Sequence, residues 1–181
     1  ERDDSLAHFS IDSAHTGVIP LVREARKINP ALVVLAAPWS APAWMKSGGR
    51  LAGGTLRDDA FDAYARYLWR TVDAFDRAGA PIDYLSVQNE PHHEPPDYPG
   101  MRLDPSQRAR LIREHVGPLF ASRNVRTHVL EYDHNWDAPE SPLAVLADTA
   151  ARRYVQGVAW HCYAGDVGAQ STVHDAHPAL E

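Results

Sequence analysis

The chain has 181 residues, 44% hydrophobic and 23% charged, the composition of a globular domain with one sizeable core and not of a disordered or fibrous chain. Its net charge of −6, with no basic stripe among its lysines and arginines, excludes nucleic acid as the expected partner. No apolar run approaches the roughly 18 residues that span a bilayer.

The charged start Glu1-Arg2-Asp3-Asp4 does not have the composition of a signal peptide. Ile19-Pro20 opens a helix with proline in its first turn; Leu21, Val22, Ala25 and Ile28 give its apolar stripe, and Asn29-Pro30 stops it. Residues 32–36 form a short apolar run expected to be a buried strand. Asp58 and Asp59 favour the positive end of a helix dipole, and Phe61, Tyr64, Ala65, Leu68, Val72 and Phe75 recur at helical spacing as far as Gly79. Tyr84-Leu85-Ser86-Val87 is the next strand, and it runs into Gln88-Asn89-Glu90-Pro91. Because a proline biases the residue before it toward extended backbone, Glu90 is expected to continue the strand and project from its carboxyl end.

Asp104-Pro105-Ser106-Gln107 combines a cap, a first-turn proline and a Gln placed to cap back, so it starts a helix carrying Leu111, Ile112, His115 and Val116. Gly117-Pro118 is expected to kink or end that helix. A third strand is expected near 126–132, a helix opened by Ser141-Pro142 follows, and a fourth strand passes through 157–161.

Short apolar strands, each preceded by a helix, argue for parallel β/α units, because parallel neighbours need a crossover. The fold class is therefore α/β. Eight such units close a (β/α)8 TIM barrel in roughly 250 residues, so the chain covers about four units, roughly the middle half. Residues 1–181 are accordingly a partial barrel domain. Gly48-Gly49 and Gly53-Gly54 lack the spacing of a phosphate loop and are loop glycines; no cofactor is expected.

In this architecture chemistry collects at the carboxyl ends of strands. The four ends carry Pro38-Trp39-Ser40, Asn89-Glu90, Tyr132-Asp133-His134-Asn135-Trp136 and His161-Cys162-Tyr163. Sugars present an apolar face and a hydroxyl rim, which suits aromatic platforms interleaved with amides, imidazoles and carboxylates. Trp39, Trp136 and Tyr163 are candidate platforms. Glu90 can lend and recover a proton in glycosidic cleavage, and Asn89 can hold a hydroxyl. On a strand His161 and Tyr163 share one face, with Trp160 and Cys162 on the other. Each has a structural alternative: the tryptophans as core plugs, His161 as a satisfied core histidine, Glu131 and Asp133 as partners of arginines. Cys162 is expected to be buried and inert.

Together, Pro38-Trp39-Ser40-Ala41-Pro42-Ala43-Trp44-Met45-Lys46, Ser86-Val87-Gln88-Asn89-Glu90-Pro91, Tyr98-Pro99-Gly100-Met101, Tyr132-Asp133-His134-Asn135-Trp136 and Ala159-Trp160-His161-Cys162-Tyr163-Ala164-Gly165 resemble glycoside hydrolase family 30. The resemblance covers nearly the whole chain. It implies a barrel that cleaves β-glycosides of glucosylceramide or β-1,6-glucan type with retention and without a metal. It makes Glu90 the acid/base, Asn89 the ligand of the sugar 2-hydroxyl, and Trp39, His161 and Tyr163 residues of the same subsite. The family's nucleophile is a glutamate at the end of a later strand. Glu181, only three residues beyond Pro178, does not match it, so these residues alone are expected to be inactive.

Other classes compete with that expectation. A metal-dependent barrel hydrolase would draw on His92, His93, Glu94 and His161, and a degenerate barrel would bind carbohydrate without turnover. The expected partner is a β-linked carbohydrate or glycolipid. Oligomeric state is open, and secretion follows only from the resemblance. An isolated half barrel is expected to expose sheet edges and self-associate.

Overall fold

A computed structural model describes residues 2–181; Glu1, the first residue of the charged start, lies outside the described residues. Two short opening helices, α1 (Asp12–His15) and α2 (Val18–Ile28), precede the first strand. Four strands follow, β1 (Leu35–Ala36), β2 (Tyr84–Ser86), β3 (His128–Trp136) and β4 (Val155–Gly165), forming one parallel sheet in the order β1-β2-β3-β4. Strands that lie side by side in sequence order, each crossover carrying helices, are wound as in a barrel, in contrast to the reversing order of an open nucleotide-binding sheet.

Helix α3 (Phe61–Arg77) crosses from β1 to β2, and Phe61, Tyr64, Ala65, Leu68 and Val72 are buried along the stripe that their spacing predicts. Its Tyr64 hydroxyl donates to the Val87 carbonyl at 2.9 Å and so anchors the end of β2. The β2-to-β3 crossover starts with α4 (Pro105–Arg110), where the Asp104 and Gln107 capping box forms as expected. It continues without a break through a π-helical turn at Leu111–Val116 into α5 (Gly117–Ser122). Pro118 thus neither ends nor separates the helix. It has no N–H and its ring crowds a carbonyl one turn back, and the wider π-turn in front of it absorbs both effects. Two short helices, α6 (Glu140–Leu146) and α7 (Thr149–Arg152), lead to β4, and α8 (Gly168–Ala176) packs after it.

The core lies between the sheet and these helices and includes Leu68, Leu85, Ile112, Val116, Val129, Val145, Leu146 and Val155. β1 is shorter than the apolar run 32–36 suggests. The Val34 N–H is taken by the Asp83 carboxylate at 2.7 Å, while the Val34 carbonyl accepts from the Asp83 and Tyr84 N–H groups. A side chain has replaced a rung of the ladder. Register shifts between β3 and β4 fall at Val129/Leu130, Tyr132/His134 and Asn135/Trp136, and Tyr132 and Asp133 have φ of +72° and +59°. Bulges of this kind re-aim side chains at a strand end. Among the described residues no helix is long and apolar enough to cross a membrane.

Candidate active site

The carboxyl ends of β2, β3 and β4 converge on Glu90. β2 stops at Ser86, and the following residues are tied to neighbouring loops. The Asn89 N–H donates to the Pro38 carbonyl and the Glu90 N–H to the Asp133 carbonyl, both at 2.9 Å, and Gln88 Nε2 donates to the Trp39 carbonyl at 2.9 Å. Glu90 therefore does not continue the strand. Its φ is +45°, and its carbonyl accepts from the His93 N–H at 2.8 Å across a turn through Pro91. The bias that Pro91 imposes is outweighed by these tertiary bonds, and a non-glycine residue with positive φ at a strand end is the kind of strain that accompanies functional sites.

The carboxylate of Glu90 is one end of a polar chain. His161 Nδ1 lies 3.0 Å from Glu90 Oε1, and His161 Nε2 lies 3.0 Å from Asp133 Oδ1. Asp133 Oδ2 accepts from the Ser86 hydroxyl at 2.7 Å. Asp133 is buried at 5% side-chain exposure, whereas His161 and Glu90 retain 22% and 21%, so the chain runs from the sheet interior to the solvent-facing rim. An imidazole between two carboxyl groups has two ways to satisfy both. It can be a cation between two carboxylates, or a neutral ring that donates from Nε2 to Asp133 and accepts at Nδ1 from a protonated Glu90. The arrangement can therefore hold one proton beside Glu90 and hand it outward.

Exposed aromatic rings stand at the same end of the sheet. Trp39 is 53% exposed with its ring 5.9 Å from that of Tyr98, and Tyr163 is 81% exposed with its ring meeting His161 edge-on at 5.8 Å. The Tyr163 N–H is held by Asn135 Oδ1 at 3.1 Å. Trp160 turns the other way, edge-on to Tyr132 at 5.3 Å, as alternation along β4 predicts. Asn89 is half-buried beside Glu90. Trp136 is half-buried at the end of β3 opposite Gly165, its indole N–H buried without a partner, so no hydrogen bond from it reaches Glu90.

Some sequence expectations need correction, and others hold. Cys162 is exposed, not buried, because burial along β4 falls away toward its carboxyl end. Glu131 is the partner of an arginine: Arg108 Nε lies 2.8 Å from Glu131 Oε1, and both side chains are fully buried. Asp133, weighed for the same fate, instead orients His161. The proposed metal set also disperses. His92 Nε2 meets Ser141 Oγ at 2.8 Å, His93 Nε2 meets the Tyr98 hydroxyl at 2.7 Å, and Glu94 accepts from the Gly54 N–H at 3.1 Å. Glu181 sits at the other end of the sheet, accepting from the Tyr84 hydroxyl at 2.6 Å and from Gln156 Nε2 at 3.0 Å.

Ser86 and His134 were not singled out by sequence reasoning. Ser86 is a small residue in an apolar strand and carries no signal of its own. His134 stands inside the strand-end cluster of β3, with its ring 6.3 Å from that of His161, and burial pushes it below the ordinary histidine value while Glu90 opposes that shift. One carboxylate oxygen of Glu90 and one ring nitrogen each of His134 and His161 lie within 4.8 Å of one another.

Residues 1–180 match the glycosyl hydrolase family 30 TIM-barrel domain. The chain is 35% identical to an endo-1,6-β-D-glucanase of Neurospora crassa, an alignment that takes in 100% of this chain and 38% of the relative. It is 30% identical to the lysosomal acid glucosylceramidase of Mus musculus, over 97% of this chain and 36% of that protein. A solved endo-β-1,6-glucanase superposes with a TM-score of 0.93 at 26% identity, covering 100% of this chain and 42% of that one. The chain thus spans about two fifths of the length of these relatives.

Proposed function

The chain belongs to glycosyl hydrolase family 30, and from that membership we propose that the protein carrying it hydrolyses β-glucosidic bonds, in a β-1,6-glucan or a glucosylceramide-like glycolipid, with retention of configuration. Residues 1–181 are its partial catalytic barrel. Glu90 is the acid/base: it protonates the departing oxygen, and after the sugar is bound covalently it takes a proton from water. The observation that carries this is the Glu90, His161, Asp133 chain, which supplies a proton beside a carboxyl at the open end of the sheet. With Nε2–H donated to Asp133, the Nδ1 lone pair accepts from the acid form of Glu90 and directs its proton.

Asn89 binds the sugar 2-hydroxyl, Trp39 and Tyr163 offer ring faces to the pyranose, and His161 contacts the same sugar edge. Trp136 is a candidate for a neighbouring subsite. None of the carboxylates weighed for attack is placed for it: Glu131 is consumed by Arg108, Asp133 by Ser86 and His161, and Glu181 lies at the far end. In the retaining geometry the attacking carboxylate stands about 5 to 5.5 Å from Glu90. Residues 1–181 alone are accordingly inactive.

The test uses the longer protein and two β-glucosides, one with an alkyl and one with a dinitrophenyl leaving group. Glu90→Gln should cut kcat/KM for the alkyl glucoside by at least about 1,000-fold and spare formation of the glycosyl-enzyme from the activated one, because only the basic leaving group needs the acid. Equal loss on both substrates, or an inverted product anomer, would remove this reading.

A further inference from the structure

We propose that Glu90, His134 and His161 form a binding site for a zinc-class divalent transition metal, which, when filled, takes the place of the proton shared by Glu90 and His161. Binding stands on the donor geometry alone. Its consequence, inhibition of hydrolysis, rests on the acid/base role proposed for Glu90.

The donors are a carboxylate oxygen and two imidazole nitrogens drawn from the ends of three adjacent strands, within 4.8 Å of one another. A tetrahedral zinc with bonds of about 2.0–2.1 Å holds its ligand atoms roughly 3.3 Å apart. The Glu90 to His161 pair already stands at 3.0 Å, so only His134 has to move inward. His134 has room for a new bond: its Nδ1 is buried and has no hydrogen-bond partner. Two imidazoles and one carboxylate select zinc, copper or nickel over magnesium or calcium, which prefer all-oxygen shells.

The surroundings are those of a supported ligand. Nε2 of His161 is held by Asp133 at 3.0 Å, and Asp133 in turn by Ser86 at 2.7 Å, so a ring bound through Nδ1 has its tautomer and plane fixed by a buried carboxylate. Such carboxylate-backed histidines raise ligand basicity and hold the ring in place. Three protein ligands leave the fourth position open toward the rim, where Tyr163 is 81% exposed. A metal there occupies the oxygen of Glu90 that faces His161 and displaces the proton that general-acid catalysis needs.

The experiment is zinc chloride titrated calorimetrically into the chelator-stripped longer protein, in a buffer that does not bind zinc. One equivalent should bind with micromolar affinity. His134→Gln should weaken it by about tenfold or more, and His93→Gln, whose ring is held by Tyr98 outside the cluster, should leave it unchanged. Zinc-edge X-ray absorption on the longer protein without any substitution, so that no variant's folding defect can confound it, should show two imidazoles. No saturable binding, unchanged affinity in His134→Gln, or an all-oxygen shell would overturn the site. Because these readouts need no turnover, failure of the glycosidase reading leaves them intact; zinc inhibition of the longer protein is measured separately.

Discussion

Asp133 holds His161 from behind: Oδ1 sits 3.0 Å from Nε2, while Oδ2 takes the Ser86 hydroxyl at 2.7 Å and the side chain is nearly sealed from solvent. The carboxylate therefore acts on Glu90 only through the imidazole between them. Asp133→Asn keeps the shape and removes the charge that fixes the Nε2–H tautomer. In the longer protein kcat/KM should fall about 10- to 100-fold, and Ser86→Ala should lose less. The deciding readout is the leaving group. An alkyl glucoside should suffer more than a dinitrophenyl glucoside; equal losses would mean that Asp133 merely supports the fold.

Beneath the site, Arg108 and Glu131 are both fully buried, and the pair is completed by Arg108 Nη1 on the Leu103 carbonyl at 2.7 Å, Nη2 on Ser141 Oγ at 2.7 Å, and the Tyr132 N–H on Glu131 Oε2 at 2.7 Å. Arg108→Met strands a buried carboxylate and should cost about 3–5 kcal/mol, read as a shift of the denaturant midpoint. Arg108→Leu with Glu131→Leu should recover more than half of that loss, since no charge is then left unpaired. A double variant as unstable as the single one would show that the bonds to Leu103 and Ser141 dominate.

The layout of the fold was legible in the sequence because it rests on local signals: the six-residue apolar stripe of α3, the Asp104/Gln107 box of α4, and the polar and aromatic residues that follow each apolar run. The strand-end positions of Glu90, Asn89, Trp39, His161 and Tyr163 were legible for the same reason. What was not legible depends on long-range bonds. The left-handed turn at Glu90 is imposed by a hydrogen bond from its N–H to Asp133, 43 positions away, and no local preference announces it. Ser86 and Asp133 meet across adjacent strands, and the bulge at Tyr132/His134 shifts which β3 side chains face Glu90. A bulge breaks the period of two on which face assignments rest.

His115, in the π-turn, meets the ring of Phe61 edge-on at 5.7 Å, and burial is the main influence pushing it below the ordinary histidine value, against opposition from Asp62 and Glu114. The unfolded chain therefore takes up the proton first as pH falls. Stability associated with neutral His115 is complete above about pH 6.5 and is lost as pH drops from there through the lower folded value. Denaturant midpoints measured between about pH 7 and pH 5 should fall more steeply for the unaltered chain than for His115→Gln. The comparison is of slopes, because losing the ring contact with Phe61 lowers the variant at every pH. Parallel slopes would show that His115 does not contribute.

Gly165 closes the site where β4 meets the end of β3. Its φ is +86°, and a Cβ there would lie 2.2 Å from the Asp137 nitrogen and 2.3 Å from the Trp136 carbonyl carbon. Both neighbours are backbone, so neither can rotate away, and the left-handed conformation is itself unfavourable for a residue with a Cβ. Gly165→Ala should cost about 2–4 kcal/mol from overpacking and strain combined. The two strand ends must separate to accept the methyl group, which pulls Tyr163 from Asn135 Oδ1, the side-chain oxygen that holds its N–H. Zinc affinity and turnover should therefore both fall in this variant even where it remains folded. Gly48→Ala is the control: a Cβ there meets nothing within 4 Å, and its midpoint should stay within about 0.5 kcal/mol of the unaltered chain. If both variants matched the unaltered chain, the junction of β3 and β4 would be loose enough to yield, and the fixed spacing of His161 from Glu90 would need another source.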